Sequence, residues 1–289
     1  MKKLTGFQFD PRGLAVRVET GGKDGASASS ADPKTITIRA GDYRTRFDAG
    51  SSWTMRSVLY RNQVINHSEG GTYLQSVLNE SHGQISDGKP VDPFLGSGHR
   101  PEQVDSLEIG FYDGIKFLSV HELDPEKVEA FEIERGTTVI FKKRSRLVSA
   151  FNGTLIHLEH VTVIAPTGVE QYVRVSGGDG DLSKIAFLYP HMHILPNATH
   201  EYLAFHEGNI VEQALFKDDN SMSLRKEVTA IITWVPESNT GIHLYHTRSY
   251  PRGKVHIWNR AGDNKLYFRY PYPRARGEAL EYALFFEAF

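Results

Sequence analysis

Residues 154–175 read TLIHLEHVTVIAPTGVEQYVRV: two apolar-rich runs, 154–164 and 169–175, on either side of Pro166-Thr167-Gly168. Turn residues between two such runs make them candidate strands joined by a tight connection. The same arrangement repeats outward in both directions. Upstream lie candidate strands 115–121, 128–134, 137–143 and 146–150, punctuated by Asp113-Gly114, Gly136 and Asn152-Gly153. Downstream lie 184–190, 200–205, 210–216, 227–234, 241–247, 254–259, 265–270 and 278–288. Their separators include Gly177-Gly178, Asp218-Asp219-Asn220, Asn239-Thr240-Gly241 and Ala261-Gly262-Asp263-Asn264. Short strands at this regular spacing mark a sandwich or barrel. Only Asp124 to Glu134 competes as a helix, because Val128, Phe131 and Ile133 fit neither period. The expectation is an all-β fold, a large antiparallel β-sandwich with few or no helices, forming one domain over 1–289.

Nearer the start, 12–19 alternates like a strand, and 35–39 and 43–47 follow as two more. Between them, Gly21 to Pro33 is rich in Gly and Ser, which predicts a flexible loop. Ser51 to Val64 reads as two short strands. The stretch 67–102 is long and poorly periodic, the mark of a functional or disordered segment. Tyr73, Leu74, Val77, Leu78 and Phe94 predict that it packs, and Gly96-Ser97-Gly98 forms a turn that presents His99 and Arg100.

The chain of 289 residues has no cysteine, which excludes a disulfide scaffold, a thiolate metal site and a Cys nucleophile. No run approaches the roughly 18 apolar residues of a membrane span, and no apolar segment follows the basic start Met1-Lys2-Lys3. A soluble protein with no membrane partner is expected. The net charge of −2 conceals an asymmetry: Gly241 to Arg276 carries eight basic residues and only Asp263 as an acid, or +7. Tyr245, Tyr250, Trp258, Tyr267, Phe268, Tyr270 and Tyr272 are interleaved with them. Arginine forks beside aromatic faces make a wall suited to an anionic ligand. A pI near 6.7 and the lack of a nucleic-acid motif argue against nucleic acid as that partner.

Chemistry concentrates in Tyr189 to Gly208, YPHMHILPNATHEYLAFHEG. In an extended strand His191 and His193 share a face, with Met192 on the other. Imidazole serves near neutral pH as acid, base or metal ligand. Glu278, Glu281 and Glu287 alternate with apolar residues on the last strand, a pattern that reads as outward and solvated.

Three stretches, FLGSGHR at 94–100, FLYPHMH at 187–193 and the tail from Trp258 to Phe289, together resemble the galactose-mutarotase-like β-supersandwich superfamily. That superfamily includes aldose epimerases and the sandwich domains of glycosidases and polysaccharide lyases. The resemblance implies a carbohydrate ligand, no cofactor, and a sugar ring held between two histidines and a carboxylate. One His protonates the ring oxygen while the Glu takes the anomeric proton. His99 is similar to the first His, and His191 or His193 to the second. Where a late-strand Glu is expected, Gly241 to His246 offers His243 and His246 instead. The implied catalytic set is therefore His99, His191, His193 and His246. Arg100, Tyr189, His243, Tyr245, Arg248 and Trp258 are its expected substrate contacts. For a uronate substrate, Arg100 and Arg248 meet the carboxylate, and a His or Tyr removes the acidified C–H proton by epimerase- or lyase-like transfer. Two alternatives stand beside this. A cupin-type isomerase or oxygenase would hold a divalent metal with His191, His193, Glu201 and His256, although the His193–Glu201 gap is long and Ile185 replaces the expected Gly. The other is a non-catalytic carbohydrate-binding sandwich.

Overall fold

The computed structural model describes residues 25–32, 34–66, 73–76, 85–86, 89–90, 94–96, 102–148, 155–177, 185–195, 201–235, 240–248, 254–260, 263–271 and 279–289. Five strands come first: β1 (Ser27–Asp32), β2 (Thr35–Ala40), β3 (Tyr43–Asp48), β4 (Thr54–Tyr60) and β5 (Gln63–Asn66). Four short ones follow, β6 (Tyr73–Ser76), β7 (Ile85–Ser86), β8 (Lys89–Pro90) and β9 (Phe94–Leu95). The middle of the chain gives β10 (Gln103–Tyr112), β11 (Phe117–Leu123), β12 (Phe131–Glu134), β13 (Thr138–Val148), β14 (Leu155–Ala165) and β15 (Gly168–Gly177). Then come β16 (Ile185–Leu195), β17 (Glu201–His206), β18 (Asn209–Leu215), β19 (Met222–Glu227) and β20 (Ala230–Val235). The last four are β21 (Thr240–Arg248), β22 (Lys254–Arg260), β23 (Asp263–Pro271) and β24 (Leu280–Ala288).

All the pairings among these strands are antiparallel. One six-stranded sheet runs β12-β1-β2-β3-β4-β5, and a second runs β19-β22-β23-β16-β6-β9. A ten-stranded sheet, β11-β10-β13-β14-β15-β24-β21-β20-β17-β18, is the largest, and β7 pairs with β8 alone. The expected all-β sandwich is what forms. Ala49–Ser51 is a 3₁₀ turn and the only helical segment among the described residues. It is capped by Asp48, whose Oδ1 accepts from Gly50 N at 2.8 Å.

Period-two burial explains the layering. Ile36 and Ile38 of β2, Leu107, Ile109 and Phe111 of β10, Ile156 and Leu158 of β14, and Leu266 and Phe268 of β23 all belong to one connected buried cluster. It draws on all three large sheets, with β2 lying against β13 and β14. The opposite face of the ten-stranded sheet has its own small cluster of Val161, Val163, Tyr172 and Ala283, with Ile140 against it.

Two expectations need correction. The Gly/Ser-rich stretch is not a loop over 27–32: β1 is an interior strand, paired with β12 on one side and β2 on the other. Ala26, Ala28 and Ser30 are buried, because ladders on both flanks outweigh the weak strand preference of small residues. The possible helix at 124–134 is also absent. Asp124 Oδ1 accepts from Glu126 N, the Trp53 indole donates to Pro125 O at 3.1 Å, and β12 begins at Phe131.

Candidate functional site

On β21, Ile242 and Leu244 are buried in the main core, so His243 and Tyr245 project from the opposite face of the ten-stranded sheet. Register places Glu287 of β24 opposite His243, and Phe285 opposite Tyr245. Cross-strand partners of this kind stand side by side. His243 Nδ1 lies 3.1 Å from Glu287 Oε1, with side chains 30% and 43% exposed. The Tyr245 ring centroid is 4.9 Å from that of His243 and 5.1 Å from that of Phe285. An imidazole–carboxylate pair therefore sits at the edge of an aromatic platform. Glu287 is a carboxylate that sequence alternation reads as merely solvated.

Further along the same face runs a row of alternating charge. Arg144 of β13 is opposite Glu159 of β14, Glu159 is opposite Arg174 of β15, and Arg174 is opposite Glu281 of β24. Lys142 Nζ approaches Glu159 Oε1 at 2.9 Å, and Arg144 Nε approaches the same oxygen at 3.6 Å. Arg174 Nε is 3.8 Å from Glu281 Oε1. Beside this row opens a cleft of about 260 Å³, lined among others by Asp105, Arg144, His157, Glu159, Arg174 and Ser176. Arg146 is engaged there with Asp105 at 2.6 and 2.8 Å.

This architecture recurs among solved structures. It is similar to a galactose mutarotase-like protein from Clostridium acetobutylicum, with a TM-score of 0.54, 8% identity, and coverage of 93% of this chain and 99% of that one. It is similar to a putative aldose 1-epimerase from Escherichia coli K12, with a TM-score of 0.50, 8% identity, and coverage of 88% and 98%. The fold is the galactose-mutarotase-like sandwich. The galactosidase domain of an alpha-galactosidase-sucrose kinase is also similar, at a TM-score of 0.50 and 11% identity over 91% of this chain and 42% of that one. No family profile and no curated protein sequence matches.

Within this mutarotase-like sandwich the expected site residues separate. His243 and Tyr245 meet, as described. His246 does not join them: it follows Ile242 and Leu244 toward the core, where its ring packs edge-on against Phe268 at 5.2 Å. Burial pushes the His246 pKa down to about 4, partly offset by a hydrogen bond with the Ala283 backbone. Trp258 stands on β22 in a different sheet, stacked on Tyr267 at 6.5 Å, with its indole N–H donating to Asn220 Oδ1. His191 and His193 occupy backbone positions on β16 opposite Phe268 and Leu266. The side chains of Tyr189, His191, His193 and Arg248, and the whole of His99 and Arg100, lie outside the described residues.

Of the four residues in the metal-binding alternative, Glu201 and His256 have described side chains, and they stand in different sheets. Glu201 is on β17 of the ten-stranded sheet and accepts from Gln213 Nε2 at 2.8 Å. His256 is buried on β22 of the other sheet. Among the described residues no group of three or more His, Asp or Glu could hold a metal ion. Asn259, on the same strand as His256, is a buried clip: its Oδ1 accepts from Lys217 N and its Nδ2 donates to Ser221 and Ser223.

Proposed function

We propose that the face carrying His243, Glu287, Tyr245 and Phe285 binds a sugar and moves protons on it, interconverting the anomers of a pyranose. The 3.1 Å contact between His243 Nδ1 and Glu287 Oε1, on partly exposed side chains beside an aromatic platform, carries this reading. A carboxylate accepting from Nδ1–H fixes the tautomer and leaves Nε2 as the acceptor nitrogen. Nε2 then takes the proton from the anomeric hydroxyl as the bond between C1 and the ring oxygen breaks and C1 becomes a carbonyl. The imidazolium, steadied by Glu287, returns that proton to the ring oxygen. Closure on the other face of the carbonyl reverses the steps and gives the other anomer. Aromatic side chains present large apolar faces with a polar edge, which suits the C–H face of a sugar ring. The mutarotase-like and epimerase structures that share the fold support the choice of sugar class.

Polarimetry on freshly dissolved α-glucose, α-galactose and their uronates tests the proposal. The expected result is faster relaxation with the wild type, lost in His243→Ala and Glu287→Gln. A wild type no faster than buffer on every one of these sugars refutes it.

A further inference from the structure

The row Arg144–Glu159–Arg174–Glu281 is more than a solvated charge ladder, because its arginines are unequally committed. Arg146, one pair of residues further along β13, has a carboxylate oxygen of Asp105 at 2.6 and 2.8 Å, and its charge-assisted bonds are made. Arg144 touches Glu159 only at 3.6 Å, while Lys142 already holds that carboxylate at 2.9 Å. Arg174 reaches Glu281 only at 3.8 Å, and its Nε is buried without a hydrogen-bond partner. Distances of 3.6 and 3.8 Å lie beyond hydrogen-bond range. Both arginines are more than a third exposed, and both line the cleft of about 260 Å³. That volume is below the roughly 300 Å³ of the smallest drug-sized pockets and suits one small polar ring. Among the residues lining the cleft, Arg144 and Arg174 are the cations and Asp105 and Glu159 the anions, with His157 beside them.

We infer that this cleft is a binding subsite for the carboxylate-bearing residue of an acidic sugar, with Arg144 and Arg174 meeting the carboxylate. Taking the ligand to be a sugar rests on the reading of the His243–Glu287 face. A guanidinium fork matches a carboxylate bidentately, whereas a neutral hydroxyl needs only one donor. Glu159, held on the strand between the two arginines, keeps their forks apart and supplies an acceptor for a sugar hydroxyl. The subsite is distinct from the His243–Glu287 pair: Glu281 and Glu287 are six residues apart on β24, about 20 Å at the rise of a strand. A single sugar does not span both, so a ligand engaging both is a chain.

The test is calorimetric titration of the full chain with glucuronate and galacturonate, against glucose, galactose and inorganic phosphate. The expected result is tighter binding of the uronates than of the neutral sugars. Arg144→Gln and Arg174→Gln should each weaken uronate binding roughly 10- to 100-fold. Arg174→Lys, which keeps the charge and loses the fork, should restore only part of it, with thermal melting unchanged in all three. The His243→Ala variant should still bind uronates, so loss of mutarotation in that variant bears on the proton-transfer reading alone. Uronates binding no better than neutral sugars, or indifferent to both arginine variants, overturns the assignment. Inorganic phosphate bound as tightly as the uronates overturns it too.

Discussion

The ammonium of Lys143 meets the carboxylate of Glu102 at 2.6 Å inside the sandwich, with side chains only 1% and 0% exposed. Ser145 Oγ donates to the same carboxylate oxygen at 2.6 Å, and Lys143 Nζ also donates to Ser52 O at 3.0 Å. The pair thus ties β13 to the segment before β10 and to the turn before β4. Removing one partner of a buried pair leaves an uncompensated charge, at a cost of about 3–5 kcal/mol. Lys143→Met should therefore lose about that much stability in urea unfolding, and Glu102→Gln less. The double variant Lys143→Met/Glu102→Leu should recover most of the loss, since hydrophobic replacement of a whole buried pair is often neutral.

Acid should unfold this protein through the buried carboxylate of Glu102 and two half-buried histidines, all acting in the same direction. Burial, reinforced by Lys143 and partly offset by Glu102, pushes the His160 pKa down to about 3, and burial takes His246 to about 4. For Glu102, burial works upward but is outweighed by Lys143, His160 and the bonds from Lys143 and Ser145, so its pKa is lowered. In each case the unfolded chain binds protons more readily than the folded one, so stability rises with pH. The histidine contribution is complete above about pH 6.5 and drains away toward pH 3–4, with the Glu102 contribution lost below the ordinary carboxylate range. Each histidine shift is worth on the order of a few kcal/mol at the acid end. Melting temperature measured from pH 7 to pH 3 should fall steadily, and His160→Gln should flatten that fall.

His243 and Glu287 should divide function from stability. Their pair is substantially exposed, so His243→Ala and Glu287→Gln should each change unfolding free energy by less than about 1 kcal/mol. Loss of a positioned general acid–base should lower the turnover rate by roughly 10²–10⁴-fold. His246→Ala should show the reverse pattern, a lowered melting temperature with little loss of turnover in the surviving folded protein. Parallel melting curves and polarimetry on the three variants distinguish the patterns.

Gly168 begins β15 at φ +153°, and a Cβ built there would stand 2.5 Å from Phe285 Cζ and 2.7 Å from Phe286 O. Backbone atoms and a packed ring leave it nowhere to go. Gly168→Ala should cost about 1–3 kcal/mol and displace Phe285 from beside Tyr245. Turnover should drop along with stability, unlike the His243 and Glu287 variants, and paired denaturation and rate measurements would show it.

Much of the strand plan is legible in the sequence because turn chemistry is local. Pro166-Thr167-Gly168 and Asp113-Gly114 mark connections that the structure makes. The parity that separates His246 from His243 is legible too, since residues three apart in an extended strand face opposite sides. What is hidden depends on register between distant strands. Nothing local says that residue 287 will stand beside residue 243, or that residue 281 will complete a row begun at 144, 159 and 174. β1 is hidden for a different reason: Ser and Ala carry almost no strand signal of their own, and its place is settled by the strands that flank it.

Among the described strands, β24 alone bridges the two halves of the ten-stranded sheet, between β15 and β21, yet it comes after all the others in sequence. Until it is seated, β15 and β21 are raw edges, open to pairing with any neighbouring chain. The ten-stranded sheet is one ladder only while β24 is seated; without it, His243 and the Arg144–Glu159–Arg174 row would stand on separate sheets.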